Sequence, residues 1–541
     1  MLCRTFSCSI VLLGALCTAT RFVAPPRALY ATSWAEVFNK TLEVQGKIPE
    51  WIPHGSWVRQ GPAIFEIGGR NASVLLDGGA KLTKLVFPGA GGAPYVTQAL
   101  LREPLLEASI KANTICPFIS LNPPTPPWTL SDHIKCGLPD NPGFANVETW
   151  IYGTEMVAVS DGIDRHQQVS RDLKSATKFK LSRFNNNPVD QVTFNGAHPI
   201  KQVNDSSVTM QIYTSIMPSH VKSGEYHVTL TAIHRDEPHT VKELIQASMP
   251  YGPVMHQFHA TERYVVTVAP SMAMPVGFGE QIKWVPEMGS TVIVFDLHTM
   301  AATTFHSNEP FVLTHVSNTW VENGRLYSLV VSYKDACVYS GKQMSMASLR
   351  NGSSIAAIEA CPAALARVST PFPSDNADPT KSNIGPEGSV QIEHHSVLQN
   401  GTAITAEMPR VNPLFLGSIN RYFYAVSVPG DKTFKVDTRP HGNFSITPVA
   451  NVVHSYGNGH HVSEPTFIPR PGATEEDDGV LLLHEYVPGD GGNASATDEC
   501  EKEGCTHTVV LDAQTFEVLA RMPLGFAVPA PLHAAFFPGY E

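Results

Sequence analysis

Beyond residue 50 the chain reads as short apolar or alternating runs, rich in β-branched and aromatic residues and separated by turn residues. Val208–Ser215, Tyr226–Ile233, Arg263–Val268, Thr291–Asp296, Leu326–Tyr333, Gly479–His484 and Thr506–Asp512 each have the length and composition of a strand. Turn pairs such as Asn323-Gly324, Asn400-Gly401 and Pro488-Gly489 predict a meander of antiparallel hairpins. Long amphipathic helices are scarce, so the pattern predicts an all-β fold of blades or a sandwich. Two stretches break the rhythm. Leu100–Trp128 is apolar but interrupted by proline, and predicts a helix and loop capping the core. Ala357–Pro386 is a more polar insertion, with a helix expected over Ala357–Ala366 and surface loop beyond it.

The 541 residues exceed an average domain, but repeat-closed β architectures often do, so one large domain over 31–541 is the expectation. A 43% hydrophobic and 16% charged composition supplies a core and argues against disorder. The net charge of -11 argues against a nucleic-acid partner, which calls for a concentrated basic face. Residues 1–30 read as a leader, with Arg4, the apolar run Ile10–Ala15 and small residues over Cys17–Thr20. That run is too short for a bilayer span, which needs about 20 residues. Arg21–Arg27 beyond it lacks acidic residues and resembles an algal plastid transit region behind a signal peptide; a signal peptide followed by an unstructured linker is the alternative. Of nine cysteines, Cys3, Cys8 and Cys17 fall in the leader. Cys116, Cys136, Cys337, Cys361, Cys500 and Cys505 show no zinc spacing and are expected as buried thiols, with Cys500 and Cys505 able to join in an oxidising compartment.

The sequence carries no phosphate loop ending in Lys-Ser/Thr, no HExxH and no GxSxG elbow. What remains is a set of histidines in Gly/Pro-marked apolar contexts: His198 in NGAHP, His256 in VMHQF, His315 in LTHVSNTW and His533 in APLHAAF. His198 and His256 are 58 positions apart, and 218 positions, close to four such steps, separate His315 from His533. One histidine per blade would place all four around a single axis. Glu155 in GTEM, Glu407 in AEMPRVNP and Glu464 in VSEPTF extend the series to seven marked positions, as a seven-bladed β-propeller would require. His259 should face the other side of its strand from His256. It is read as structural, and the Gly-Asn-Gly between His454 and the pair His460 and His461 predicts a loop there.

At this point the chain resembles the carotenoid cleavage oxygenases, nearest the animal-type branch that includes the β-carotene oxygenases and the retinal pigment epithelium isomerase. GSWVRQGPAIFEIGG (55–69), DGGAKLTKL (77–85), HQFHATERYVV (256–266), EMPRVNPLFLGSINRYFYA (407–425), SEPTFIPRPGATEEDDGVLL (463–482) and PAPLHAAF (529–536) carry the likeness, in the family's order. The resemblance implies a seven-bladed propeller with a helical and loop cap over a substrate tunnel. It implies Fe²⁺ held by His198, His256, His315 and His533, with Glu155, Glu407 and Glu464 as carboxylates behind the ligands. Three glutamates cannot serve four histidines, so one histidine is expected to lack a carboxylate partner. Open positions on the metal would serve O₂, and the substrate would be a carotenoid or apocarotenoid cleaved to two carbonyl products. A retinyl-ester isomerohydrolase and an inactive propeller that binds an apolar ligand are the alternatives on the same scaffold. Delivery of so insoluble a substrate implies peripheral attachment to a membrane surface through the 100–128 segment. Thr83, Ala534-Ala535 and Leu313-Thr314 depart from the family's usual residues without removing a ligand, and leave substrate and cleavage position open.

Overall fold

In a computed structural model of the chain, all seven expected strands are present, as Asp205–Ser215, Tyr226–His234, Tyr264–Ala269, Ser290–Asp296, Arg325–Tyr333, Gly479–Val487 and Cys505–Asp512. The structure describes residues 27–541 except short internal segments, the longest being 138–142, 182–192, 216–225, 275–281 and 490–503. Most of the expected leader, and Cys500, lie outside the described residues. Two of the turn pairs act as read: Asn323 and Gly324, then Asn400 and Gly401, take positive φ angles of 49° and 73°, and 50° and 79°, which close two-residue hairpins, whereas Pro488-Gly489 begins the longer connection from Gly479–Val487 to Cys505–Asp512.

Among the described residues there are seven sheets of four to six strands, and they follow one another along the chain. The first joins Val37–Thr41, Tyr95–Leu100, Gly79–Phe87 and Gly55–Ile64 to the far strand Ala534–Pro538. Later sheets occupy 148–178, 162–249, 259–307 together with Asn383–Ile384, 312–395, 397–455 and 461–523, the last taking in Gln45–Gly46 from the other end. Neighbours in chain order pack on each other: Ala534–Pro538 on Glu148–Tyr152, His259–Ala260 on Val312–Glu322, and Val312–Glu322 on Ala406–Arg410. This succession, closed by pairing strands from the two ends, is the connectivity a seven-bladed ring requires. Apolar side chains fill the space between adjacent sheets. Trp57, Leu85, Leu482 and Val510 are fully buried in one such layer, and Val312, Phe423, Phe434 and Val436 in another. Each large side chain so buried contributes about 1.5–3 kcal/mol of transfer free energy.

The expected cap is present and differs in detail from expectation. Helix Pro104–Ala112 starts on a proline, whose missing N–H costs nothing at that position, and buries Leu105 and Leu106. Helix Leu130–Cys136 is closed by reciprocal bonds between Thr129 and Asp132, and Asp132 also pairs with Arg70 at 2.6 Å. In the second insertion the helix is Ser354–Glu359, and Ala364–Pro371 is a strand paired along Arg325–Tyr333. The alanines that suggested a helix are overridden by an open sheet edge. The thiol expectation is also corrected: Cys116 pairs with Cys136, and Cys337 with Cys361. Each disulfide staples one piece of the cap.

Candidate metal centre

The four histidines reach one point from four different sheets. His198 sits between Thr193–Asn195 and Ile200–Gln202, His256 just before His259–Ala260, and His533 just before Ala534–Pro538. His315 lies within Val312–Glu322, where the pairing register slips between Leu313 and Val316. Such a bulge re-aims a side chain without ending the strand. The ligating atoms of the four rings lie within 4.8 Å of one another. Nε2 of His198 is 3.1 Å from Nε2 of His256, and Nε2 of His315 is 3.3 Å from that of His533.

Behind each ring stands a carboxylate. Nδ1 of His198 donates to Glu148 at 2.7 Å, that of His256 to Asp161 at 2.6 Å, that of His315 to Glu407 at 2.7 Å, and that of His533 to Glu464 at 3.1 Å. A carboxylate only accepts, so each proton sits on Nδ1 and each Nε2 turns a lone pair inward. Burial holds the His198 ring well below the usual histidine range, and draws His533 down to about 4 against the pull of Glu464. Four convergent imidazole nitrogens fit a first-row divalent ion, and the outward N–H bonds fix their orientation.

Glu155 is a correction. It is not at the centre but pairs with His239 at 3.1 Å on the outer part of its sheet. Glu148–Tyr152 and Glu155–Val159 form a hairpin whose turn holds Gly153, and Tyr152 pairs directly with Glu155. At about 3.3 Å per residue, the turn stands ~13 Å from the hairpin's open end. Glu148 and Asp161 flank that open end and face the centre. The expectation that one histidine would lack a carboxylate is likewise overturned, because Asp161 supplies the fourth. A signal was present: a turn at Gly153 places 148 and 161, not 155, at the inner end.

The carboxylates are themselves held. Burial would raise the Glu407 carboxyl, but His315, the Tyr333 hydroxyl (2.6 Å) and the Met408 N–H (2.9 Å) hold it far below its ordinary value. Glu407 also lies at a bulge, with Met408 at φ 52°. Arg410 ties two of the pairs together, donating from Nε to Glu464 at 2.7 Å and lying 3.5 Å from Glu148. Burial pushes Glu148 up to about 7, with Arg410 pulling it back. Arg59, almost fully buried, donates to the carbonyls of Glu464 (2.7 Å) and Leu532 (2.5 Å), fixing the backbone that carries two of the groups.

A cavity of about 230 Å³ opens on His256, His315 and His533. Its other walls are mainly apolar, with Leu75, Val147, Val338, Leu349, Ile358 and Leu532 among them. Tyr339, Gln343 and Ile358 come from the segment stapled by Cys337–Cys361, so the cap forms one wall of the cavity.

The family RPE65, described as retinal pigment epithelial membrane protein, matches residues 30–538. The chain belongs to that family. It is 26% identical over 527 residues to carotenoid cleavage dioxygenase 8, chloroplastic, of Arabidopsis thaliana, covering 93% of this chain and 84% of that protein. It is 24% identical to the carotenoid isomerooxygenase of Galleria mellonella (94% and 96% covered) and 22% identical to the β,β-carotene 15,15'-dioxygenase of Gallus gallus (92% and 95% covered). Among solved structures, a point variant of the Synechocystis apocarotenoid oxygenase superposes with a TM-score of 0.70 at 19% identity, covering 96% of this chain and all of that one. A cobalt-substituted form of the same oxygenase gives 0.68 at 20% identity, covering 94% of this chain and 98% of that one. The fold is shared with these proteins.

Proposed function

We propose that the chain is a non-haem iron(II) dioxygenase that opens a carbon–carbon double bond of a carotenoid or apocarotenoid, with O₂ as co-substrate, giving two carbonyl products. The observation that carries this reading is the convergence of four lone pairs, each backed by a carboxylate, at the end of an apolar cavity. His198, His256, His315 and His533 would hold Fe²⁺, with Glu148, Asp161, Glu407 and Glu464 fixing the rings. Bound there, ferrous iron supplies the activation of dioxygen that cleavage of an unactivated olefin needs. The chain's own part is to bind and to exclude. Val147, Val338 and Ile358 give a polyene an apolar surface to lie on, and the cap covers one side of it. No protein nucleophile is required. One domain over 31–541, behind a leader over 1–30, belongs to the same reading.

Aerobic incubation of the iron-loaded chain with a panel of carotenoids and apocarotenals, followed by mass spectrometry, should yield paired aldehydes or ketones with oxygen from O₂. Stoichiometric iron with no olefin cleaved would sink the proposal, and anaerobic turnover of a retinyl ester would replace it with the isomerohydrolase.

Plastid placement and peripheral attachment to a membrane complete the proposal. Relatives from Arabidopsis and rice are named chloroplastic. No helix among the described residues is long and apolar enough to cross a membrane. The cap, however, presents Leu130 and Ile134 one helical turn apart, 77% and 73% exposed, beside Ile110. Leu130→Ser with Ile134→Ser should lower cosedimentation with lipid vesicles, and unchanged pelleting would refute the attachment.

A further inference from the structure

The cavity wall holds several polar side chains outside the four His–carboxylate pairs, and most are spent on the protein. Ser427 donates to Asp431 at 2.6 Å, Ser463 to the carbonyl of Glu464 at 3.3 Å, and Gln343 to the carbonyls of Ala357 (3.3 Å) and Cys361 (3.2 Å). The Tyr339 hydroxyl feels the charges of Asp161 and Glu407, so it belongs with the metal end. His461 differs from all of these. Its ring lines the cavity, yet among the described residues neither ring nitrogen has a hydrogen-bond partner. Asp431 is the charge that acts on it, and none of the centre's carboxylates does. Burial keeps the ring neutral, so it offers one N–H and one lone pair inside a mainly apolar space.

The ring is also held in place. His461 pairs with Tyr486 in its sheet, and the Val462 N–H donates to the Gly430 carbonyl at 2.7 Å. Gly430, at φ 102°, lies directly against the imidazole: a Cβ there would sit 2.5 Å from the ring. The residue at 430 thus gives the ring its room, and the ring is fixed without its polar atoms being used.

We propose that His461 is a substrate subsite that hydrogen-bonds an oxygen function, a hydroxyl or carbonyl, on the end of the polyene lying away from the metal centre. This rests on the oxygenase reading and deepens it: the preferred substrates are oxygenated polyenes, not hydrocarbons. A hydrocarbon end would cover both nitrogens of this half-buried imidazole without pairing either, whereas a hydroxyl or carbonyl pairs at least one of them. A site built to bond an oxygen rejects the analogue that lacks it, while an all-apolar site discriminates weakly.

The test uses the full, iron-loaded chain under nitrogen, with binding read by quenching of tryptophan fluorescence, and then in air for KM. The probes are β-carotene and its dihydroxylated derivative, which share length and polyene. Wild-type protein should bind the hydroxylated probe about tenfold more tightly, and equal affinity overturns the proposal whatever the variants do. His461→Leu should erase that preference, and His461→Gln, which keeps a donor and an acceptor, should restore part of it. A preference that survives His461→Leu also overturns the subsite. The two readings fail separately: discrimination in binding without cleavage in air removes the oxygenase and keeps the subsite, and cleavage of both probes with equal KM does the reverse.

Discussion

The two sides of the cavity are built by different means. The metal side is assembled from strand ends and bulges of seven sheets, and every polar group in it is answered by another: ring by carboxylate, carboxylate by guanidinium, hydroxyl or backbone N–H. The cap side is made of short helices and loops, held by Cys116–Cys136, Cys337–Cys361 and the Arg70–Asp132 pair. The first depends on contacts between residues 50 to 262 positions apart, drawn from different sheets, so its geometry is set by the closed ring of sheets. The second is held mainly by two disulfides between residues 20 and 24 positions apart, so it can change while the ring stands. Separating positional accuracy from local cover lets one scaffold keep its centre while its cavity wall varies.

The sharpest way to break the comparison is to remove a ring. His315→Ala or His533→Ala should reduce iron retained through gel filtration to below about a hundredth of wild type, beyond the 10–100-fold that an outer partner costs. Elemental analysis of the eluted protein measures it. Next in size is Arg410→Met, which strands the Glu148 and Glu464 carboxylates in the interior. Loss of ~3–5 kcal/mol of stability is expected in denaturant titration. A smaller loss belongs to the cap: Cys337→Ser with Cys361→Ser should cost about 3 kcal/mol or less. Iron content should not change, and if it falls with the cap, the two sides are not independent. The smallest effect sharpens the centre itself. Glu148→Gln should weaken iron affinity by about 10–100-fold in competition with a chelator, and Glu155→Gln should not. Equal effects from both glutamates would contradict the hairpin geometry.

Much of this was legible in the residues. The strands announced themselves because β-branched and aromatic runs were bounded by turn residues, and the four histidines stood in short apolar contexts beside strand ends or, for His315, at a bulge. Glu407 and Glu464 were found by the same contexts. Glu155 was misread because a glutamate beside a glycine turn looks like its counterparts, and only the hairpin's length tells which end points inward. Asp161 and Glu148 were missed because neither sits in a distinctive context. The disulfides were invisible because separations of 20 and 24 residues say nothing about distance until the cap is folded. His461 follows a Gly-Asn-Gly turn that marks a loop in the sequence, and only the folded chain brings its ring to the cavity.

The fourth ring stands immediately before Ala534–Pro538, the strand that pairs with Gly55–Ile64 to close the circle of sheets. Translation delivers these parts in a fixed order, and the piece that completes the cluster arrives long after His198 has left the ribosome. A nascent chain can therefore present three of its nitrogens but not a finished cage. The four-nitrogen cluster is therefore complete only once the Ala534–Pro538 strand has been made and has paired with Gly55–Ile64, which ties completion of the site to closure of the ring.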